Sequence, residues 1–333
     1  MRPLALILLL PLLACGAKTP EEIVFAGNTM GTQFSVKLVT ASPDAATLEQ
    51  RIQASLDSVD KMMSTYKADS EISAFNASRS TDWFAVSKEF CTSVDEALLL
   101  SEITDGAFDI TVAPLVNLWG FGPGAMVDTP PADDEIQALL ARVGYRHLAA
   151  DCAQPALRKD LPGLELDMGA CGKGLAVDEI AELLDAQGIE NYMVEVGGEI
   201  RLRGRNIKGA PWAIGIERPL TSERQPHTIV HLTDTALATS GDYRNFFESD
   251  GQLYSHTIDT ATGKPVTHTL ASVTVIDPSG YRADALATAL LVLGPEKGMA
   301  LAVRENMAAL FLSRGETGIK ETASPAFRKL SKS

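Results

Sequence analysis

Apolar residues recur at steps of three and four through Leu48, Ile52, Leu56, Val59, Met63 and Tyr66, which predicts a long amphipathic helix with those side chains on its buried face. Two strand-like runs precede it, residues 23–26 and 33–39, around Asn28-Thr29-Met30-Gly31-Thr32. A polar link with a capping-type Ser70 follows, then a second helix over residues 87–104, a Trp119-Gly120-Phe121-Gly122 loop, and a third helix over 135–143. Residues 123–134, rich in Pro, Gly and Asp, read as an exposed loop or lobe junction. Further on, strand-like runs fall at 192–196, 199–203, 212–217, 228–232, 237–239, 252–258 and 272–276. Most are short and joined by Gly or Asp, so the pattern predicts an α+β fold of antiparallel sheets flanked by helices, not a repeated βαβ winding. No residue-level repeat is visible.

The chain is organised around Asp167-Met168-Gly169-Ala170-Cys171-Gly172-Lys173-Gly174-Leu175-Ala176-Val177-Asp178. It follows the alternating run Leu164-Glu165-Leu166 and leads into a helical pattern through Ile180, Leu183 and Leu184, so it reads as strand, glycine turn, helix. Three glycines let the backbone approach a ligand closely, and the N–H groups that open the helix favour an anion. Lys173 adds a positive charge, and together these suit a phosphate or pyrophosphate. The spacing is neither the Walker pattern nor the dinucleotide fingerprint, and a tight turn with a surface lysine is the plain alternative.

Two later stretches add chemistry. In Tyr281-Arg282-Ala283-Asp284-Ala285-Leu286-Ala287-Thr288-Ala289-Leu290, Asp284 and Thr288 are the polar positions of a helix that is otherwise apolar from Ala283 onward, and they share one face. A carboxylate and a hydroxyl there can hold a hard cation such as magnesium, with phosphate oxygens and water completing the shell. The alternative is that Asp284 caps the helix and Thr288 bonds back to the carbonyl four residues earlier. In Ser255-His256-Thr257-Ile258-Asp259-Thr260-Ala261-Thr262-Gly263-Lys264-Pro265, a turn can bring an imidazole, a carboxylate and a lysine together. Histidine as a residue type titrates near neutrality, so His256 could accept a proton from an attacking hydroxyl, although a structural histidine before a hairpin has the same signature.

The formal net charge is -14 with no basic run, which argues against nucleic acid as a partner. Cys91, Cys152 and Cys171 show no Cys-x-x-Cys spacing and allow at most one disulfide, so no structural zinc site is indicated. At the start of the chain, Arg2 and the apolar run from Leu4 mark residues 1–14 as an export signal, too short for a spanning helix. Leu12-Leu13-Ala14-Cys15-Gly16 resembles the lipobox of a bacterial lipoprotein, with Cys15 the lipidated first residue, residues 15–22 a tether, and residues 23–333 one domain or two closely joined lobes. The expected location is a bacterial membrane, inner or outer, facing the periplasm.

Taken together, the chain resembles the FAD:protein FMN transferases of the ApbE family. The resemblance is carried by Asn28-Thr29-Met30-Gly31-Thr32, Ser64-Thr65-Tyr66 with Ser70-Glu71-Ile72-Ser73, Ala107-Phe108-Asp109, the stretch from Asp167 to Asp178, Val196-Gly197-Gly198-Glu199-Ile200, Thr239-Ser240-Gly241-Asp242-Tyr243, the stretch from His256, and the segment around Asp284. It implies a tunnelling-fold-like α+β architecture and a magnesium-dependent transfer of FMN from FAD to a threonine of a target flavoprotein, releasing AMP. It implies FAD contacts at Met30, Tyr66, Ala107, Phe108, Asp109, Asp167, Lys173, Thr257 and Ile258, metal positions at Ala170 (through its carbonyl), Asp284 and Thr288, and a base at His256. The family usually has Asp-Pro-x-Thr-Gly where this chain has Asp259-Thr260-Ala261-Thr262-Gly263, which leaves the turn less rigid. An FAD hydrolase giving FMN and AMP, and a non-catalytic flavin-binding lipoprotein, are the competing readings.

Overall fold

Eight antiparallel strands form the central sheet and lie side by side in the order of the chain. They are β1 (Glu21–Thr29), β2 (Thr32–Thr40), β3 (Tyr192–Val196), β4 (Glu199–Arg203), β5 (Thr235–Gly241), β6 (Leu270–Asp277), β7 (Ala308–Gly315) and β8 (Gly318–Ala323). The computed structural model describes residues 19–41, 44–124, 127, 129–219, 225–243, 246–249 and 251–330. Cys15 and the apolar run before it lie outside the described residues.

The helices are α1 (Ala45–Met63), α2 (Glu71–Ala77), α3 (Lys88–Ile103), α4 (Ala113–Leu118), α5 (Asp133–Leu140), α6 (Gly172–Ala186), α7 (Gly280–Arg304) and α8 (Pro325–Leu330). The main core lies between one face of the sheet and α1, α3, α6 and α7, with Val36, Leu38, Ile52, Leu56, Ile180 and Leu286 fully or almost fully buried. The opposite face is covered by a hairpin, Trp212–Glu217 with Pro226–Leu232, and by Phe327 of α8. The α+β class with antiparallel sheets is as expected, and β3, β4 and the strand at 212–217 have the expected bounds.

α1 buries Leu48, Ile52, Leu56, Val59 and Met63 as the periodicity requires, but it stops at Met63. Tyr66 lies beyond it and is 71% exposed, so it does not belong to the buried stripe. No strand precedes the glycine turn: Leu164-Glu165-Leu166 is extended but unpaired. Side chains replace the missing ladder. Asn76 accepts from the Leu166 N–H at 2.7 Å and donates to its carbonyl at 2.8 Å, and the buried Lys159 ammonium donates to the Leu164 carbonyl at 2.8 Å. Burial draws the Lys159 amine down to about 8, against the weaker pull of Glu165. The run at 252–258 is two short strands, Gln252–Ser255 and Ile258–Asp259, broken where Ser255 Oγ accepts from the Thr257 N–H.

α7 continues well past residue 290 and breaks at Gly294, which takes φ +75° just before Pro295. Pro295 has no N–H for the Leu291 carbonyl four residues back. His268 Nε2 donates to that carbonyl instead, at 2.7 Å, and the ring stands where a Gly294 side chain would begin. By length and composition α7 could cross a membrane, yet half of its apolar window is buried in this core. Cys91 of α3 and Cys152 form a disulfide that closes a 61-residue separation, leaving Cys171 as a buried thiol among the described residues.

Candidate active site

Two helix N-termini meet at the centre of the molecule with matching patterns, Gly174-Leu175-Ala176-Val177-Asp178 in α6 and Gly280-Tyr281-Arg282-Ala283-Asp284 in α7. The helices touch through their glycines. A Cβ on Gly174 would overlap the Gly280 carbonyl group, and one on Gly280 would stand 2.7 Å from the Gly174 oxygen. Each aspartate then caps the other helix. Asp178 accepts from Gly280 N at 2.8 Å, Tyr281 N at 3.0 Å and the Ser279 hydroxyl at 2.9 Å, while Asp284 Oδ2 accepts from Gly174 N at 3.0 Å. Exposed helix-terminal N–H groups favour an anion, so both carboxylates are well placed.

Lys173 and Glu199 complete the α6 end. The two-residue turn Gly197-Gly198 has φ +60° and +109°, values that suit glycine, and it delivers Glu199 as the first residue of β4. A Gly197 side chain would press on Lys173 Cδ. Lys173 Nζ stands 3.6 Å from Glu199 Oε1 and 3.9 Å from Asp284 Oδ2. Both acids are buried, and Glu199 Oε2 has no hydrogen-bond partner. Burial opposes the Lys173 charge, but Asp284 and then Glu199 outweigh it and hold the amine above the ordinary lysine value. Burial pushes both the Asp284 and the Glu199 carboxyls upward, and Lys173 pulls each of them back down. Two buried acids share one cation.

These residues fit a magnesium ion, which the family resemblance implies. Gly174 N, the donor that a helix would give the Ala170 carbonyl, goes to Asp284 instead and leaves that oxygen for another partner. Both contacts of Asp284 fall on Oδ2, so Oδ1 is uncommitted. Thr288 does not bond back along its helix; its hydroxyl shares a 2.8 Å hydrogen bond with Ser240 Oγ of β5. The donors are all hard oxygens, too few for a full shell without substrate phosphate and water. Among the described residues no group of three or more His, Cys, Asp and Glu gathers, so a zinc-type cage is not built here.

The predicted flavin positions occupy several different settings. Met30 takes φ +48° in the β1–β2 turn, and its Cε lies within 3.6 Å of where a Gly172 side chain would start, beside the opening of α6. Tyr66 presents its ring to solvent and its hydroxyl donates to the Phe121 carbonyl at 3.5 Å. Asp167 lines a cavity of about 170 Å³ with Thr65, Ser73, Asn76, Asn117 and Glu165; burial pushes its carboxyl up against a bond from Gly169 N. Asp109 accepts from two backbone amides, Thr111 N and Tyr145 N, and from the Thr111 hydroxyl, and burial raises its carboxyl too. Phe108 is core, Ala107 packs beside it, and Ile258 packs with Leu115, Trp119 and Ile136. Thr257 is buried, and half-buried His256 lies edge-on to Phe121 at 6.3 Å.

The turn after His256 does not gather the expected trio. Lys264 Nζ reaches away to Asp133 at 2.8 Å, and Asp259 closes its own turn on Ala261 N and Thr262 Oγ1. Thr260, where the family has proline, donates to the Gly106 carbonyl at 2.7 Å, and Trp119 Nε1 donates to the Gly263 carbonyl at 2.8 Å, so bonds to the body of the protein restrain this turn. Sequence reasoning did not single out Glu199 or Ser240. The Gly-Gly pair before Glu199 was the available signal, since a two-residue glycine turn fixes where the next side chain points.

An α+β fold in which helix N-termini, a lysine and hard oxygen donors converge is the architecture of a protein that can hold a phosphate-bearing ligand. A model of the ApbE family matches residues 30–311, and the chain belongs to that family. It is 47% identical to an FAD:protein FMN transferase of Vibrio cholerae over 95% of both chains. It is 41% identical to one of Escherichia coli K12 over 92% of this chain and 89% of that one. Among solved structures it is similar to the flavin transferase ApbE from Vibrio cholerae, with a TM-score of 0.87 and 45% identity over 93% of this chain and 99% of that one. The apo form of the Pseudomonas stutzeri flavinyl transferase ApbE gives 0.87 and 41% over 94% and 98%.

Proposed function

We propose that this protein is an FAD:protein FMN transferase that moves FMN from FAD onto a threonine hydroxyl of a target flavoprotein, with magnesium, and releases AMP. The observation that carries the reading is Asp284, buried at the N-terminus of α6 beside Lys173 with one oxygen uncommitted. The threonine oxygen attacks the FMN-side phosphorus, the bond to the AMP phosphate breaks, and its electron pair leaves with AMP. His256 takes the hydroxyl proton, help worth about 10² to 10⁴ in rate. Lys173 draws the anionic pyrophosphate in, and Tyr66 offers its face to the isoalloxazine. Asp284, the Ala170 carbonyl and Thr288 would hold the magnesium, which when bound neutralises charge on the phosphate oxygens. Incubation with FAD, magnesium and periplasmic extract should yield covalently fluorescent bands in a denaturing gel. Free FMN and AMP without a labelled band would make it the hydrolase.

The same reading places the protein outside the cytoplasm, with residues 1–14 removed and Cys15 acylated. The Cys91–Cys152 pair supports this, because disulfides persist in oxidising compartments. From Gly16, five residues precede β1 and reach at most about 18 Å, which keeps the enzyme near the bilayer. Cys15→Ser should release it into the soluble periplasmic fraction with its activity on soluble acceptors intact. A wild-type protein already soluble there would end the anchoring claim alone.

A further inference from the structure

We propose that Glu199 is a positioning residue that allows Lys173 and a divalent cation to occupy the same buried site. This rests on the cation reading of Asp284 above. Lys173 Nζ lies 3.9 Å from the carboxylate assigned to the cation, so a divalent ion bound there sets two positive centres side by side. Asp284 is buried and the Lys173 side chain is 30% exposed, so water screens that repulsion only in part. The lysine needs a second anion to lean on, or it competes with the cation for Asp284.

Glu199 is that anion. Its Oε1 stands 3.6 Å from Nζ, at the start of β4. Its position leaves little slack, since the Gly197-Gly198 turn sets the first residue of β4 and Gly197 packs against the lysine stem. Glu199 Oε2 is buried without a partner, so the carboxylate keeps acceptor capacity for an ammonium that swings off Asp284. Two further ion pairs join α6 to the same strand, Asp178 with Arg201 at 3.8 Å and Asp185 with Arg203 at 2.6 Å. These hold the helix in register on β4 and keep Glu199 opposite Lys173. Glu199 thereby acts on the cation through the lysine, without ligating it.

Charge coupling of this kind has a signature that a packing role lacks. Mn²⁺ binding, followed by electron paramagnetic resonance without FAD, is compared in wild type, Glu199→Gln, Lys173→Met, the double variant and Asp284→Asn. In Glu199→Gln the lysine turns wholly onto Asp284, and Mn²⁺ affinity should fall about tenfold or more, the scale of one charge contact a few ångströms away. In the Lys173→Met background the same change should cost about twofold or less. Equal losses in both backgrounds, or none in either, would overturn the proposal, the first by making Glu199 act directly on the ion. If wild type binds Mn²⁺ no better than Asp284→Asn, the cation reading itself falls and takes this proposal with it. Glu199→Asp keeps the charge on a shorter stem and should lie between wild type and the amide; melting temperatures establish that each variant is folded.

Discussion

The two ends of the α6–α7 crossing share one backbone arrangement and differ in how far their aspartates are satisfied. Asp178 accepts three hydrogen bonds from the first residues of α7 and faces Arg201. Asp284 accepts one from α6, keeps an oxygen uncommitted, and shares Lys173 with Glu199. A carboxylate that only holds a structure together spends its acceptor capacity on that structure; one that serves a ligand is left incomplete at some cost in stability. The same Gly-x-x-x-Asp spacing thus occurs twice, once as a fastening and once as a site.

The largest expected effect is at the incomplete end. Asp284→Asn retains an acceptor for Gly174 N but loses the charge, so transfer should fall by about 10³ or more while the melting temperature moves little. Near-normal turnover by the folded variant would cancel the difference between the two ends. His256→Asn should lower turnover by about 10² to 10⁴ with FAD affinity nearly unchanged, because the proton moves only in the transition state. An equal loss of FAD binding in a titration would recast His256 as a contact.

At the satisfied end the sign reverses. Asp178→Ala leaves two buried N–H groups and a hydroxyl unpaired and should cost about 3 kcal/mol in urea unfolding, with turnover per folded molecule preserved. If its activity falls as far as that of Asp284→Asn, the division into fastening and site is wrong. The smallest effect is expected at Tyr66, whose exposed ring stabilises nothing in the fold. Tyr66→Ala should weaken FAD binding by about tenfold, the scale of one lost aromatic stack, and leave unfolding unchanged.

What the sequence made legible follows the same physics. β3 was readable to the residue because its side chains alternate between buried and less buried, and β4 because an unmistakable glycine turn sets where it starts. β7 was not, since Ala308 to Leu312 is buried on both faces and its apolar run carries no period. The run at Leu164 looked like a strand because side-chain bonds from Asn76 and Lys159, remote in sequence, impose the same extended shape. Asp284, Thr288 and Lys173 stood out locally as polar or charged groups within apolar or glycine-rich patterns. Glu199 did not, because its importance comes from facing Lys173 across a helix–sheet contact that no local pattern encodes.

The glycine contact between α6 and α7 also governs traffic through the site. With no side-chain cushion between Gly174 and Gly280, there is no compressible layer by which the helices could part and close again. The expected route for FAD is then along the exposed rim that carries Tyr66, without the helices parting. Exchange rates should respond to changes at that rim. Amide exchange at Gly174 and Gly280 should stay as slow in the resting enzyme as during turnover, and acceleration of either amide during turnover would show the helices separating after all.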